Sequence, residues 1–213
     1  MSQYFCCRAK MDLALTLWRF MYMSTFAYAD ILRPTRAKSA FIYDSLMVLS
    51  GSALLAIASQ IAVYLPFSPI PVTAQTLAVL MIGAVLGSKR GTLAILAYLA
   101  EGAAGLPVFA GGLSGVAVMF GPTAGYLPGF IAAAYLTGFC AERGWDRNII
   151  KTAAMMAMGA AAIHLGGFAW LSLYLGAGEA LRFGMYPFIY GDILKIVIAS
   201  LLLPTGWKLI GKR

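Results

Sequence analysis

The chain has 213 residues, of which 61% are hydrophobic and only 11% charged, and its mean hydropathy is +0.82. Soluble domains carry about 25% charged residues, so water is excluded as the main solvent, and one membrane-embedded bundle fits the length better than globular domains do. The net charge of +8 does not mark a nucleic-acid protein, because the Lys and Arg residues stand between apolar runs rather than on one polar, solvated face.

From the N-terminus, Arg8 and Lys10 precede an apolar run, Met11 to Ala29, that ends in Ala27-Tyr28-Ala29 and has the outline of a secretory signal. Asp12 and Arg19 interrupt the run, and cleavage would leave Arg33, Arg36 and Lys38 on a translocated tail. Residues 1–40 therefore read as a cytoplasmic amphipathic lead-in, shortened if translation starts at a later Met. A hydropathy window of about 19 residues then predicts spans near 45–65, 72–88, 91–106, 123–141, 150–175 and 188–210. Between them fall Pro66 to Pro71, Gly87-Ser88-Lys89-Arg90-Gly91, a Gly-rich stretch from Gly105 to Gly125, Glu142 to Lys151, and Gly176 to Pro187. Each breaks a helix or restores polarity. The expected fold is an all-α integral membrane protein, with residues 41–213 as one six-transmembrane-helix bundle.

Cytoplasmic loops hold the excess of Lys and Arg. Arg8, Lys10, Arg19, Arg33, Arg36 and Lys38 precede the first span. Lys89 and Arg90 lie in the second connection, Arg143, Arg147 and Lys151 in the fourth, and Lys208, Lys212 and Arg213 in the tail. Fourteen of the 16 basic residues thus fall on one side, Arg182 on the other, and Lys195 inside the last span. Both termini are expected in the cytoplasm, which requires an even number of spans.

An ionisable group within a span costs at least ~2.5–3.5 kcal/mol at the bilayer centre, so it faces a cavity or a partner. Asp192 and Lys195, three residues apart, share one helix face and can neutralise each other. They read either as a structural ion pair or as a ligand site, the ammonium meeting an anionic group and the carboxylate accepting N–H donors. Glu101 lines the same cavity or lies near the outer interface. His164, the only histidine, has no second ligand nearby and reads as an interhelical hydrogen-bonding group rather than a metal site. Thr73 is placed to cap the helix after the proline-rich loop, and Gln75 and Thr76 sit in the first turns of that helix. The glycines from Gly111 to Gly125 lack the Lys-Ser/Thr of a P-loop. They suit a mobile lid over a ligand, Gly111 and Gly112 allowing close backbone approach and Phe109 and Tyr126 forming apolar walls.

Cys6, Cys7 and Cys140 give no disulfide or metal framework, and no motif calls for a cofactor. No nucleotide motif is present, so active transport would draw its energy from a partner. Ser52 with Ala56 and Ala58 with Ala62 are small-residue pairs that admit a neighbouring helix, from within the bundle, from a partner or from a second copy of the chain.

Four ordered blocks resemble the substrate-binding (S) components of biotin energy-coupling-factor (ECF) transporters, the BioY family. They are Pro66-Phe67-Ser68-Pro69-Ile70-Pro71-Val72-Thr73-Ala74-Gln75-Thr76-Leu77, Gly105-Leu106-Pro107-Val108-Phe109-Ala110-Gly111-Gly112, Gly121-Pro122-Thr123-Ala124-Gly125-Tyr126 and Gly191-Asp192-Ile193-Leu194-Lys195. The resemblance runs from about Ile31 to the C-terminus. It implies a six-helix, multi-pass protein of the bacterial inner membrane that captures biotin from outside and is not an enzyme. It also implies a transmembrane coupling protein and ATPases as partners. It places Asp192 and Lys195 at the pocket, with Gln75 and the loop around Gly111 and Gly112 as contributors. Family members carry Asn and Tyr where Ala160 and His164 stand, and Pro where Tyr190 stands. The residues alone leave open an S component for another vitamin, an intramembrane enzyme using Asp192, Glu101 or His164, and a ligand-free structural subunit. Reporter fusions test the charge argument: those at Arg90, Arg143 and the C-terminus are expected to report cytoplasm and those near Ser68, Gly112 and Gly178 the outside, and a consistent inversion would refute it.

Overall fold

The computed structural model describes residues 26–63 and 70–210. The lead-in through residue 25, with Cys6 and Cys7, and the prolines at 66 and 69 lie outside the described residues. Six α-helices follow in order: α1 Ala37–Gln60, α2 Gln75–Ala103, α3 Tyr126–Glu142, α4 Ile149–Leu175, α5 Ala177–Gly184 and α6 Tyr186–Ile210. Two short strands, β1 Ala62–Val63 and β2 Val72–Thr73, pair antiparallel in the register Ala62 to Thr73 and Val63 to Val72, and so close the loop between α1 and α2.

The expected second and third spans are one continuous run of helix broken at a single residue. Gly87 has φ +84 and ψ 173, a conformation open to glycine because it has no Cβ. Beyond it the chain reverses. Gln75 Nε2 donates to Tyr98 Oη at 2.6 Å, although 23 residues of straight helix would separate them by about 34 Å. α2 is thus a hairpin of two arms, 75–86 and 88–103. Lys89 and Arg90, expected in a loop, are already helical. The N-terminus of the second arm is held by Glu142, whose Oε1 accepts from Ser88 N at 2.7 Å and Ser88 Oγ at 2.8 Å. A carboxylate at that end also suits the helix dipole.

The hairpin is the centre of the bundle. Of the apolar window of α2, 61% is buried inside the protein, against 17% for α1 and 22% for α6. The outer faces of α1 and α6 expose Phe41, Leu46, Leu54, Ile193, Leu194 and Leu201, apolar surface of an extent that soluble monomers avoid and lipid covers. α1, α2, α4 and α6 are long and apolar enough to cross a membrane by length and composition. α3 has 17 residues. The first arm of α2, at 12 residues, reaches about 18 Å. Two helical features were not expected from the sequence: α1 starts at Ala37 rather than near 45, and α5 occupies part of the expected Gly176 to Pro187 loop.

The connections gather into two ends. At one, Arg90 pairs with Asp30 and, at 3.2 Å, with Asp44, while Arg33 pairs with Asp44 at 2.7 Å. These pairs carry the charge of the first turns of α1, which a hydropathy window discounts. Ala27 and Ala29 are buried against the bundle, so the end of the lead-in packs with the membrane domain. Tyr28 stacks on Trp207 with ring centroids 4.4 Å apart and donates to Leu203 O. Trp207 Nε1 donates to the buried Asp146. Burial pushes the Tyr28 phenol up to about 12 and also raises the Asp146 carboxyl above the usual range. Asn148 caps α4, its Oδ1 accepting from Ile150 N at 2.9 Å and Lys151 N at 3.3 Å. At the opposite end Trp170 Nε1 donates to Gly121 O at 3.0 Å and Tyr174 Oη to Phe120 O at 2.9 Å, tying α4 to the Gly-rich connection.

Close crossing of α2 and α3 depends on Gly83, where a Cβ would stand 2.2 Å from Thr137 Oγ1 and 2.5 Å from Ala134 O. Because one obstacle is backbone, α3 would have to move. Gly83→Ala is expected to cost about 1–3 kcal/mol, as overpacking does, read as a lowered thermal midpoint in detergent. Gly178→Ala, with open space around it, should leave the midpoint unchanged or slightly raised.

Candidate functional site

A cavity of about 300 Å³ lies at the end of the bundle opposite the basic cluster. This is at the small end of the range of roughly 300–1,000 Å³ for small-molecule sites. Its wall takes Thr73 from β2, Gln75, Thr76 and Tyr98 from the two arms of α2, Tyr126, Leu127 and Phe130 from α3, His164 from α4 and Phe188 from α6. The Gly-rich connection covers it with Phe109, Ala110, Leu113, Val118 and the segment from Gly121 to Thr123.

Two aromatic shelves shape the interior. Phe109 sits edge-on to Tyr98 at 5.5 Å and lies flat over Gly102, where a Cβ would come within 2.2 Å of the ring. Tyr126 lies over Gly167 in the same way, beside His164 at 6.4 Å and Phe188 at 6.3 Å, and its Oη donates to Gly184 O at 2.8 Å. The loop backbone that carries Phe109 is anchored from α1: Ser59 Oγ donates to Val108 O at 2.5 Å and Gln60 Nε2 to Phe109 O at 3.2 Å. Tyr98 Oη also donates to Val108 O, at 3.1 Å, so the hydroxyl that receives Gln75 joins the α2 hairpin to the cover.

Behind this wall stands a charged network. Asp192 Oδ2 bonds His164 Nε2, and its Oδ1 lies 3.5 Å from Lys195 Nζ. Lys195 Nζ also donates to Thr73 O at 2.9 Å and Thr76 Oγ1 at 2.6 Å. The ammonium has three N–H donors, and three protein acceptors surround it. A single cation thus joins α6 to β2 and to the start of α2.

Of the eight site residues expected from sequence, Gln75, Thr76, Phe109 and Tyr126 line the cavity. Asp192 and Lys195 stand one layer behind it, touching the lining residues His164 and Thr76. Gly111 and Gly112 are exposed in the cover beside the lining residues Ala110 and Leu113, both at φ +72. Thr73 does not cap α2. Ala74 precedes the helix with αR angles and no side-chain cap bond, and Thr73 instead offers its carbonyl to Lys195. Glu101 does not line the cavity; it accepts from Ser52 Oγ at 2.6 Å, joining α1 to the second arm. His164 makes the expected interhelical bond and in addition lines the cavity, as do Tyr98, Phe130 and Phe188, none of which stood out in the sequence. Phe188 had a usable signal: it precedes Asp192 by four residues and so shares its helix face.

Lipid-facing flanks around an aromatic-lined cavity, backed by a desolvated charge network, define a membrane-embedded binding protein for a small ligand that is largely apolar with a few polar groups. The model of the BioY family matches residues 24–212, and the chain belongs to that family. It is 38% identical over 179 residues to the biotin transporter BioY of Rhizobium etli, covering 79% of this chain and 96% of that one. It is 37% identical to the biotin transporter BioY of Thermotoga maritima over 71% of this chain and 88% of that one. The crystal structure of the S-component for biotin from an ECF-type ABC transporter has the same fold, with a TM-score of 0.72 over 82% of this chain and 95% of that chain at 24% identity.

Removing one member of a buried ion pair leaves the other uncompensated, which costs more than removing both. Asp192→Leu is therefore expected to lower stability by on the order of 3 kcal/mol, seen as a fall in thermal midpoint. Adding Lys195→Met should recover much of the loss. A double variant no more stable than the single one would contradict the pairing.

Proposed function

We propose that the protein is the substrate-capture component of an energy-coupling-factor importer and that it binds biotin from the outer face of the bacterial inner membrane. It is a transport component and not an enzyme, in keeping with its family. The observation that carries the reading is the cavity itself, whose wall and cover are built from residues of the same four sequence blocks that mark the family. Its relatives named as biotin transporters support the ligand.

The two arms of α2 count as separate crossings, which with α1, α3, α4 and α6 makes six and leaves both termini on the basic, cytoplasmic side. Residues 1–40 are then the cytoplasmic lead-in and 41–213 the membrane domain, with α1 beginning a few residues before that boundary. Biotin has a fused apolar ring system with a ureido group at one end and a carboxylate at the other. The rings fit between the shelves of Phe109 and Tyr126, and Gln75 and Thr76 offer polar contacts. The turn at Gly111 and Gly112 lets the cover move aside for entry. Asp192 and Lys195 supply charge from behind the wall. With no nucleotide-binding motif of its own, the chain works with a transmembrane coupling protein and ATPase subunits. The exposed flanks of α1 and α6 leave room for these or for a second copy.

Calorimetry of the purified protein tests this. Saturable binding of biotin is expected, and binding of a different vitamin with none of biotin would remove the ligand assignment. Because Lys195 already serves three protein acceptors, it acts through Thr76 and Asp192. Lys195→Met should weaken biotin by about tenfold, the scale of one charge-assisted hydrogen bond, and should weaken biotin amide by the same factor. A loss confined to biotin would instead put the ammonium on the ligand carboxylate.

A further inference from the structure

Among the described residues, two buried side-chain atoms lack a hydrogen-bond partner: Asp146 Oδ1 at the basic end and His164 Nδ1. The second belongs to a residue that lines the cavity and is only 9% exposed. Buried polar atoms are nearly always satisfied, and one left over calls for an explanation.

The partners of the imidazole fix its chemistry. Nε2 lies against Asp192 Oδ2, and an ionised carboxylate only accepts hydrogen bonds, so Nε2 carries the proton. Lys195, 3.5 Å from the other carboxylate oxygen, already balances the charge of Asp192. A second proton on His164 would leave a net positive charge buried in the membrane bundle, which is costly. The ring is therefore neutral, and Nδ1 presents a bare lone pair. Such an atom wants a donor, and the neighbouring ring faces of Tyr126 and Phe188 offer none, the Tyr126 hydroxyl being spent on Gly184 O.

We propose that His164 Nδ1 is a ligand-recognition atom that accepts a hydrogen bond from an N–H group of the bound molecule. Resting on the biotin reading above, that group is one of the two ureido N–H donors. Asp192 and Lys195 then also act as positioning residues, holding the imidazole in the tautomer that leaves Nδ1 unprotonated. The ureido end of the ligand lies toward α4, between the rings of Tyr126 and Phe188, and the carboxylate end points away from His164.

The chain contains a single histidine, so the full-length protein labelled with 15N-histidine and carrying a histidine-free tag gives ring signals from His164 alone. Without ligand, one nitrogen should appear protonated and the other bare. Saturating biotin should move the bare resonance upfield, toward the position of a hydrogen-bonded acceptor. In parallel, each of the two cyclic carbamate isosteres of biotin, in which an oxygen replaces one ureido N–H, is titrated calorimetrically. One of them should bind about tenfold more weakly than biotin, and His164→Phe should weaken biotin by a similar factor without weakening that isostere further. Biotin binding that leaves the bare resonance in place, or two protonated nitrogens in the free protein, would overturn the assignment while leaving the biotin reading intact. Absence of any biotin binding would overturn that reading and this inference with it. The spectrum of the native protein decides the matter even if His164→Phe fails to fold.

Discussion

An ammonium group inside a membrane bundle has no water to solvate it, so every one of its protons has to meet an acceptor supplied by the protein. In this protein the group is Lys195, and its acceptors are the carbonyl of Thr73, the hydroxyl of Thr76 and the carboxylate of Asp192. Those three come from β2, from the first turn of α2 and from α6 itself. Satisfying one cation therefore brings the last helix against the start of the second, and Asp192 carries the linkage on to α4 through His164. Three elements far apart in sequence meet at one point, and the cavity opens directly beside it.

The rest of the cavity follows from how closely backbones can approach. Gly87 lets α2 turn back on itself, which puts Gln75 beside Tyr98 and makes a wall out of both arms. Gly102 removes the side chain that would stand where the Phe109 ring lies. Dispersion contacts and ring-edge geometry then hold Phe109 and Tyr98 together. The cover has no helix or sheet long enough to stabilise it alone; it is held by Ser59, Gln60 and Tyr98 bonding its carbonyls and by Trp170 and Tyr174 gripping its far side. Few anchors and several left-handed glycines are what a segment needs if it is to open for a ligand and close again.

Charge is distributed by the same rule of solvation. The basic end holds its arginines in ion pairs with Asp30 and Asp44 near the surface, where water is available. At the cavity, the charge is confined to a network in which Asp192 and Lys195 balance each other. A small, largely apolar molecule can enter such a cavity with little desolvation of protein charge.

Hydropathy and the spacing of Lys and Arg are properties of consecutive residues, so the solvent, the spans and the pattern of sidedness were legible in the chain alone. Asp192 and Lys195 could be singled out there too, since a charge in an apolar run is visible without any fold. Glu101 and His164 were equally visible as isolated polar residues, yet their partners, Ser52 at 49 residues' separation and Asp192 at 28, lie on other helices. Periodicity within one helix cannot report such pairs. The packing of helices against one another was needed to show that Lys195 faces Thr73 and Thr76 rather than the open cavity, and that Thr73 gives its carbonyl to a lysine instead of its hydroxyl to a helix end. The same holds for Tyr98, Phe130 and Phe188, ordinary aromatic residues of apolar helices that become a binding wall because a hairpin at Gly87 and a buried cation turn three helices to face one another.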